Sequence, residues 1–150
     1  MRARRWIKVF SRTIDLFCMA KLKEGGRVVE DSGALFNAGF PVRIVQHYKI
    51  DDSHVAEVHL DKDDLWLCLG GEATFICGGR LAEPIKQFVP NELTFISPSI
   101  IGGETIVLKR GDWFLIPAGQ PHQPKTKGVA HLAIVKIPAR EGCIQLDYLP

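Results

Sequence analysis

The sequence predicts an all-β domain, a barrel or sandwich of short strands, from three observations. Short runs rich in Val, Ile and Phe recur along the chain, which is typical of residues that pack on a pleated surface. Fourteen glycines and nine prolines punctuate these runs among 150 residues. No helical pattern lies between consecutive runs. A parallel βαβ architecture needs such helices, so it is excluded.

Seven strands are predicted in order, separated by turns rich in Asp, Gly and Pro. They span residues 40–50, 54–60, 65–69, 73–77, 104–108, 113–116 and 130–137. Residues 21–33 are polar and contain glycine, which predicts a loop. The segment 80–99 holds three prolines and is longer than a hairpin needs. It is either a functional lid over the barrel mouth or a surface excursion away from any pocket.

The first eighteen residues combine arginines with apolar side chains. This pattern predicts either a short amphipathic helix or an edge strand. Lys8 and Arg12 interrupt the apolar stretch, so the segment is not expected to be a signal peptide. Translation that begins at Met19 is a further alternative. We expect residues 1–36 to form an N-terminal extension that packs on the barrel or on a partner subunit, and residues 37–150 to form the barrel. A homodimer would cover the apolar face of the extension.

Length and composition limit the function classes. A chain of this length buries about 68–70% of its unfolded surface, so its core needs neither disulfides nor a metal. The net charge of +2 is too small to indicate nucleic acid binding, and no run of eighteen apolar residues indicates a membrane span. The four cysteines lack Cys-x-x-Cys spacing, which favours reduced thiols and a cytoplasmic location. Alternatively, Cys68 or Cys77 faces the lumen as a thiolate ligand or nucleophile.

The first candidate functional segment covers residues 111–122. Its apolar strand ends in a turn that contains Pro117 and Gly119, and His122 follows directly. This order places an imidazole at the mouth of a β-structure, where polar rings commonly bind a ligand. A turn histidine that faces solvent is the alternative.

The second candidate segment begins at Glu57 and His59. Because strand side chains alternate, these two point to one face, and Asp64 opens the next strand where its carboxylate can meet them. Imidazole and carboxylate are ligands for zinc, manganese, iron, nickel and cobalt, and His122 could complete such a set. A solvated strand edge is the alternative.

At these two segments the sequence resembles the cupin superfamily. The second cupin motif has glycine, five residues, proline, one residue, glycine, two residues and histidine, and this chain matches it with Gly111, Pro117, Gly119 and His122. The similarity extends over about residues 40–138 and includes features of small single-domain bacterial cupins, many with no assigned reaction. It implies a double-stranded β-helix, or jelly-roll barrel, with an N-terminal extension.

The first cupin motif is altered at two of its metal-binding positions. In this chain Glu57 stands at the first histidine, His59 matches the second, Asp64 replaces the glutamate, and Gly71 closes the motif. The resemblance implies a divalent metal, Zn, Mn, Fe or Ni, bound by His59, His122 and one or both of Glu57 and Asp64. Which of Asp63 and Asp64 points inward stays open.

The metal site implies a small-molecule ligand and two classes of function. The first is a metal-dependent enzyme, of isomerase, lyase or dioxygenase type, that acts on a small polar carbonyl or carboxylate compound. In it, whichever of Glu57 and Asp64 does not ligate would act as the base. The second is a cupin that binds a small molecule or a metal without catalysis.

Four other polar residues have open orientations. In strand 40–50, either Val45 and His47 or their neighbours Gln46 and Tyr48 face inward. His54 is expected to point away from the face of Glu57 and His59 unless a bulge intervenes. His131 and Lys136 have opposite parity on the last strand. One of them could line the lumen, but a lysine near the end of an apolar strand is typical of a protected sheet edge.

Overall fold

A computed structural model describes residues 26–30, 42–89 and 92–140 of the chain. These residues form twelve strands: β1 (Gly26–Glu30), β2 (Val42–Tyr48), β3 (Ala56–His59), β4 (Lys62–Cys77), β5 (Arg80–Leu81), β6 (Ile85–Val89), β7 (Glu92–Ser97), β8 (Ile100–Ile101), β9 (Glu104–Lys109), β10 (Trp113–Ile116), β11 (His122–Lys125) and β12 (Val129–Pro138). The described residues contain no helix that could span a membrane. The expected N-terminal extension lies outside the described residues.

All strand pairs in the described part of the chain are antiparallel, and β4 joins the two walls of a barrel. The strand order is β1-β2-β12-β4-β11-β3-β7-β6, with β9 and β10 also paired to β4. The first half of β4 pairs with β10 and β12, and its second half pairs with β9 and β11. The all-β prediction is confirmed.

Gly71 marks the passage of β4 from one wall to the other. Its φ is +73°, and a Cβ there would lie 2.0 Å from the carbonyl oxygen of Val129 on β12. The β4/β12 register shifts between His131 and Leu132, opposite this bend. The sequence predicted two strands, 65–69 and 73–77, but they form one strand of 16 residues. Glycine bends a strand without ending its ladder, because the neighbouring strands continue to pair on either side.

Two hydrophobic clusters lie on opposite sides of the wall that contains β3. The larger cluster fills the barrel around Trp66 and Phe75, both fully buried. The smaller one packs alternate residues of β3, Val58 among them, against Leu81 and Phe95. Thus β3 buries its apolar residues against the second cluster, which leaves its other face free to present polar side chains to the lumen.

Two local predictions are wrong, and the alternative left open for residues 80–99 is resolved. Residues 26–30 of the predicted loop form β1, which pairs with β2. The segment 80–99 contains β5, β6 and β7, and it packs Leu81 against the outer side of β3, so it is an ordered excursion. The last strand, β12, is not a sheet edge, because β2 and β4 pair with its two sides. Each of these features depends on pairing between strands that are far apart in sequence. Such pairing cannot be predicted from local composition.

Candidate metal centre

The register of the β3 wall brings Glu57 and His122 side by side. His122 on β11 is the register partner of Glu57 on β3 and of Cys77 on β4. Register partners project to the same face of a sheet with their Cβ atoms about 4.5–5.5 Å apart. These three side chains therefore form one row across the inner face of this wall. His59 lies two residues after Glu57 and shares that face.

The opposite wall contributes Asp64 and Lys136. Asp64 on β4 pairs with Lys136 on β12 and with Ile116 on β10, which forms a second row. Asp64 is buried, whereas the carboxylate of Asp63 turns to the next loop, where it accepts a hydrogen bond of 2.7 Å from the Ala118 amide. The structure thus resolves the choice between the two aspartates, and Asp64 is the one that faces the lumen.

His122 aims one ring nitrogen into the space between the two rows. Its Nδ1 lies 3.2 Å from the carbonyl oxygen of Gln120, which can only accept, so Nδ1 donates. Its Nε2 lies 3.4 Å from Oε1 of Glu57 and 3.5 Å from Oδ2 of Asp64. This Nε2 is buried without a hydrogen-bond partner. A buried ring nitrogen of this kind is suited to bind a cation.

The turn before β11 holds His122 in this position. The Gly119 amide donates a 2.7 Å hydrogen bond to the carbonyl oxygen of His59, and the φ of Gly119 is +83°. The Gly78 amide donates to the carbonyl oxygen of Pro121 at 2.9 Å. The turn is thereby tied to both strands that flank His122. The turn therefore places His122 at the start of β11, where its side chain is buried rather than exposed to solvent.

His59 is anchored on both ring nitrogens. Its register partner on β7 is Thr94, whose Oγ1 lies 2.9 Å from Nδ1. On the other side, Nζ of Lys136 lies 2.7 Å from Nε2. Because an ammonium only donates, Nε2 of His59 accepts and Nδ1 carries the proton that is donated to Thr94. This tautomer keeps the Nε2 lone pair directed at the centre.

Lys136 is the residue whose role the sequence left undecided. Its Nζ also lies 2.7 Å from Oδ1 of Asp64, and its side chain is 12% exposed. The alternation of side chains along a strand is consistent with a lumenal position for Lys136. Leu132 and Ile134 lie on the same face of β12 as Lys136, and both are buried. No sequence signal identified Thr94, since its contact with His59 depends entirely on the pairing of β3 with β7.

Burial and the two carboxylates shift the pKa values of the two histidines in opposite directions. Burial lowers the pKa of His59, and the opposing effects of Asp64 and Glu57 do not restore it. For His122, burial alone lowers the pKa, but the nearby carboxylate of Glu57, together with the charge of Asp64, outweighs burial and raises the pKa. His59 is thus held neutral, while His122 retains a proton more readily in the absence of another cation.

The donor set fits a divalent metal ion. Among the described residues, Glu57, His59 and His122 each offer a ligand atom, and these atoms lie within 4.8 Å of one another. Both imidazoles fix Nδ1 elsewhere and turn Nε2 inward, the arrangement that orients histidine ligands in metal sites. Two imidazoles and a carboxylate suit zinc, manganese, iron or nickel. Oδ2 of Asp64 lies 3.5 Å from Nε2 of both histidines.

The two described cysteines are unsuited to the thiolate alternative. Cys77 does face the lumen beside His122, as that alternative required. Burial, however, raises the pKa of Cys77 to about 12 and also raises the pKa of Cys68. A thiol with such a pKa stays protonated at neutral pH and is a poor nucleophile. Among the described residues, neither cysteine belongs to the potential metal group.

The remaining histidines lie away from the centre. Val45 and His47 are the inward pair on β2, and the His47 ring packs 6.0 Å from that of Trp66. His54 precedes β3, and its carbonyl oxygen accepts a hydrogen bond from Gln123. His131 lies on the outer face of β12 opposite Gly70. None of the three belongs to a potential metal group within the described part of the chain.

A groove of about 420 Å³ lies beside the centre. Its walls include Cys77 and Ile116, the register neighbours of His122 and Asp64. Ile106 and Phe114 also line it, and Glu104 and Gln120 supply polar groups. Trp113 is 63% exposed and does not fill the lumen. The lining of this groove includes none of the side chains Glu57, His59, Asp64, His122 and Lys136.

Comparison with solved structures shows the fold. A protein with a double-stranded β-helix domain from Klebsiella pneumoniae matches with a TM-score of 0.51 and 20% identity, over 95% of this chain and 93% of that one. The EutQ protein of Clostridium difficile matches with a TM-score of 0.50 and 14% identity, over 79% and 72%. No protein-family model and no curated protein matches the sequence.

Fold and motif together define a double-stranded β-helix of the cupin type, as the resemblance implied. The chain is a small cupin-fold protein whose barrel contains a possible His/Glu metal site.

Proposed function

We propose that this barrel binds one divalent metal ion through Glu57, His59 and His122, and that it acts as a metal-dependent enzyme on a small polar carbonyl or carboxylate compound. The observation that carries the proposal is the convergence of the two Nε2 atoms and the Glu57 carboxylate, with their ligand atoms within 4.8 Å. When bound, such an ion supplies Lewis acidity toward a carbonyl or enolate oxygen.

Within this proposal, Asp64 is the base. Its Oδ1 is paired with Lys136, and its Oδ2 faces the centre without a hydrogen-bond partner. A carboxylate oxygen that is fixed in this way can accept a proton from a ligand beside the histidines. Thr94 and Gln120 position the two imidazoles through their Nδ1 atoms.

Metal content of protein purified without added metal tests the first half of the proposal. We expect about one divalent ion per chain, as the imidazole and carboxylate donor set indicates. His59→Ala and His122→Ala should each abolish binding, whereas the matched control His131→Ala, on the outer face of β12, should retain it. Full occupancy in both variants of the centre would refute the ligand assignment.

A comparison of Glu57→Gln with Asp64→Asn tests the division of roles. If Glu57 ligates and Asp64 is the base, E57Q should lose metal, whereas D64N should retain it. D64N should then lose exchange of the pyruvate methyl protons in deuterated water, which reports proton abstraction next to a carbonyl. Metal binding with no exchange for any small 2-oxo acid would favour the second candidate function, a cupin that binds a metal or a small molecule without catalysis.

A further inference from the structure

Lys136 places a fixed positive charge where the proposed metal ligands converge. Its Nζ lies 2.7 Å from Nε2 of His59 and 2.7 Å from Oδ1 of Asp64. The partners Asp64 and His59 are 1% and 6% exposed, so water does little to screen the ammonium from them. Lys136 therefore occupies the place of a cation while the Nε2 lone pair of His59 is directed at it.

A metal ion bound by His59 would change the contacts of this lysine. The ion needs the Nε2 lone pair, so Lys136 can no longer donate to it. An ammonium has three donors, and its ion pair with Oδ1 of Asp64 uses at most one of them. A donor of Lys136 next to the ion is then available to an oxygen of a bound ligand.

The charge balance of the centre specifies the kind of ligand. Glu57 and Asp64 contribute two negative charges, Lys136 contributes one positive charge, and neutral imidazoles contribute none. Glu92, whose Oε2 lies 3.9 Å from Nδ1 of His59, pairs with Lys62 at 3.8 Å, so these two charges cancel. A divalent ion therefore leaves the filled centre with one net positive charge. Because Asp64 and His122 are each 1% exposed, an uncompensated charge here is costly. A ligand with one negative charge removes that cost.

We propose that Lys136 is the ligand-recognition residue of the centre, and that it binds the carboxylate of a small monoanionic ligand beside the metal ion. The inference rests on the proposed function, since it assumes a metal held by Glu57, His59 and His122. It has a second consequence: the ammonium competes with the ion for His59, so Lys136 lowers metal affinity while it raises carboxylate affinity. A residue with only a packing role would not move these two affinities in opposite directions.

The first measurement is Mn²⁺ affinity, followed through the electron paramagnetic resonance of free Mn²⁺. Lys136→Met keeps the length of the side chain but removes its charge, and we expect it to bind Mn²⁺ about tenfold or more tightly than wild type. Lys136→Arg should stay close to wild type. Lys86→Met, at an exposed position on β6, is the matched control and should not change affinity.

The second measurement is acetate binding to the Mn²⁺-loaded protein, from paramagnetic broadening of the acetate methyl resonance. Lys136→Met should weaken acetate binding about tenfold or more, since it removes the charged donor. Binding of acetamide, the neutral analogue, should change little. Lys136→Gln carries the same expectations if the Met variant does not fold, which circular dichroism will show.

The outcomes separate this inference from the proposed function. The role of Lys136 would be overturned if wild type and Lys136→Met bound acetate with equal affinity. It would also be overturned if the variant bound Mn²⁺ no more tightly than wild type. In that case Mn²⁺ binding by wild type would still support the proposed function. Failure of both proteins to bind Mn²⁺ would overturn both proposals.

Discussion

At the scale of single residues, the centre depends on how each imidazole is anchored. Thr94 fixes the tautomer of His59, and the Gln120 carbonyl oxygen fixes that of His122. The same hydrogen bonds turn both Nε2 atoms toward the carboxylates. The sequence identified the two histidines but not their anchors, because an anchor is recognised only when strand pairing has brought it into contact.

The anchor on β7 leads to a prediction. Thr94→Val keeps the shape of the buried side chain but removes the oxygen that accepts from Nδ1 of His59. We expect metal affinity to fall about tenfold, because partners of ligating histidines typically contribute that much or more. Equilibrium dialysis with Zn²⁺ measures it. Thr105→Val, at an exposed position on β9, is the control, and equal affinities in the two variants would contradict the role of Thr94.

The buried thiol of Cys77 gives a prediction about pH. Its pKa is raised to about 12, so thiolate is scarce at pH 8, about one molecule in ten thousand, and increases tenfold for each pH unit. In the folded protein, carboxymethylation of Cys77 by iodoacetate should be far slower than in urea-unfolded protein and should accelerate as pH rises. Peptide mass spectrometry measures it. Rapid labelling of folded protein at pH 7 would instead indicate an activated thiol.

At the scale of elements, β4 determines the geometry of the centre. One strand supplies Asp64 to one wall and Cys77, beside His122, to the other, and Gly71 makes this possible by its bend. Local sequence predicted a turn at this glycine, because Gly-Gly-Glu usually interrupts a strand. The ladders with β9, β11 and β12 override that preference, since they pair the backbone on both sides of the bend.

Replacement of Gly71 tests the contribution of the β4 bend to stability. Gly71→Ala would place a Cβ 2.0 Å from the carbonyl oxygen of Val129 and force alanine to a φ near +73°. We expect the free energy of unfolding to fall by about 3 kcal/mol or more, since a positive φ alone costs about 1–3 kcal/mol outside glycine. Urea denaturation measures the change. Gly128→Ala, with no atom within 4 Å of the added Cβ, should change it little, and equal effects would refute the argument.

Across the whole molecule, apolar packing surrounds the charged centre. Ile116, the register partner of Asp64, belongs to the larger cluster, and Cys77, the register partner of His122, packs against it. Trp66 and Phe75 fill the interior between the walls, and the second cluster covers β3 from outside. The energy of folding thus arises mainly from apolar burial, as expected for a chain of this length.

Removal of metal should therefore leave the fold intact. After treatment with a chelator, we expect an unchanged far-ultraviolet circular dichroism spectrum and a lower thermal midpoint, because a metal that binds only the folded state adds stability by mass action. His122→Ala protein, treated in the same way, should show no further shift of the midpoint. Loss of the β-sheet spectrum on chelation would identify the ion as structural.

The homodimer and the cytoplasmic location stay predictions. The dimer prediction rests on the apolar side chains of residues 1–18, which lie outside the described residues. Deletion of this segment should shift the sedimentation coefficient toward that of a monomer if it forms the interface.

Local sequence patterns were enough to predict the all-β class, the turn that precedes His122, and the set of four candidate side chains. These features are local, because each can be recognised in a short stretch of sequence. They are the alternation of apolar and polar residues, the spacing of Gly111, Pro117 and Gly119, and the presence of imidazole and carboxylate side chains. The three-dimensional arrangement was needed to show that Asp64 rather than Asp63 faces inward and that Lys136 contacts both Asp64 and His59. Both depend on the register of β4 with β12, and pairing between strands far apart in sequence leaves no local signature.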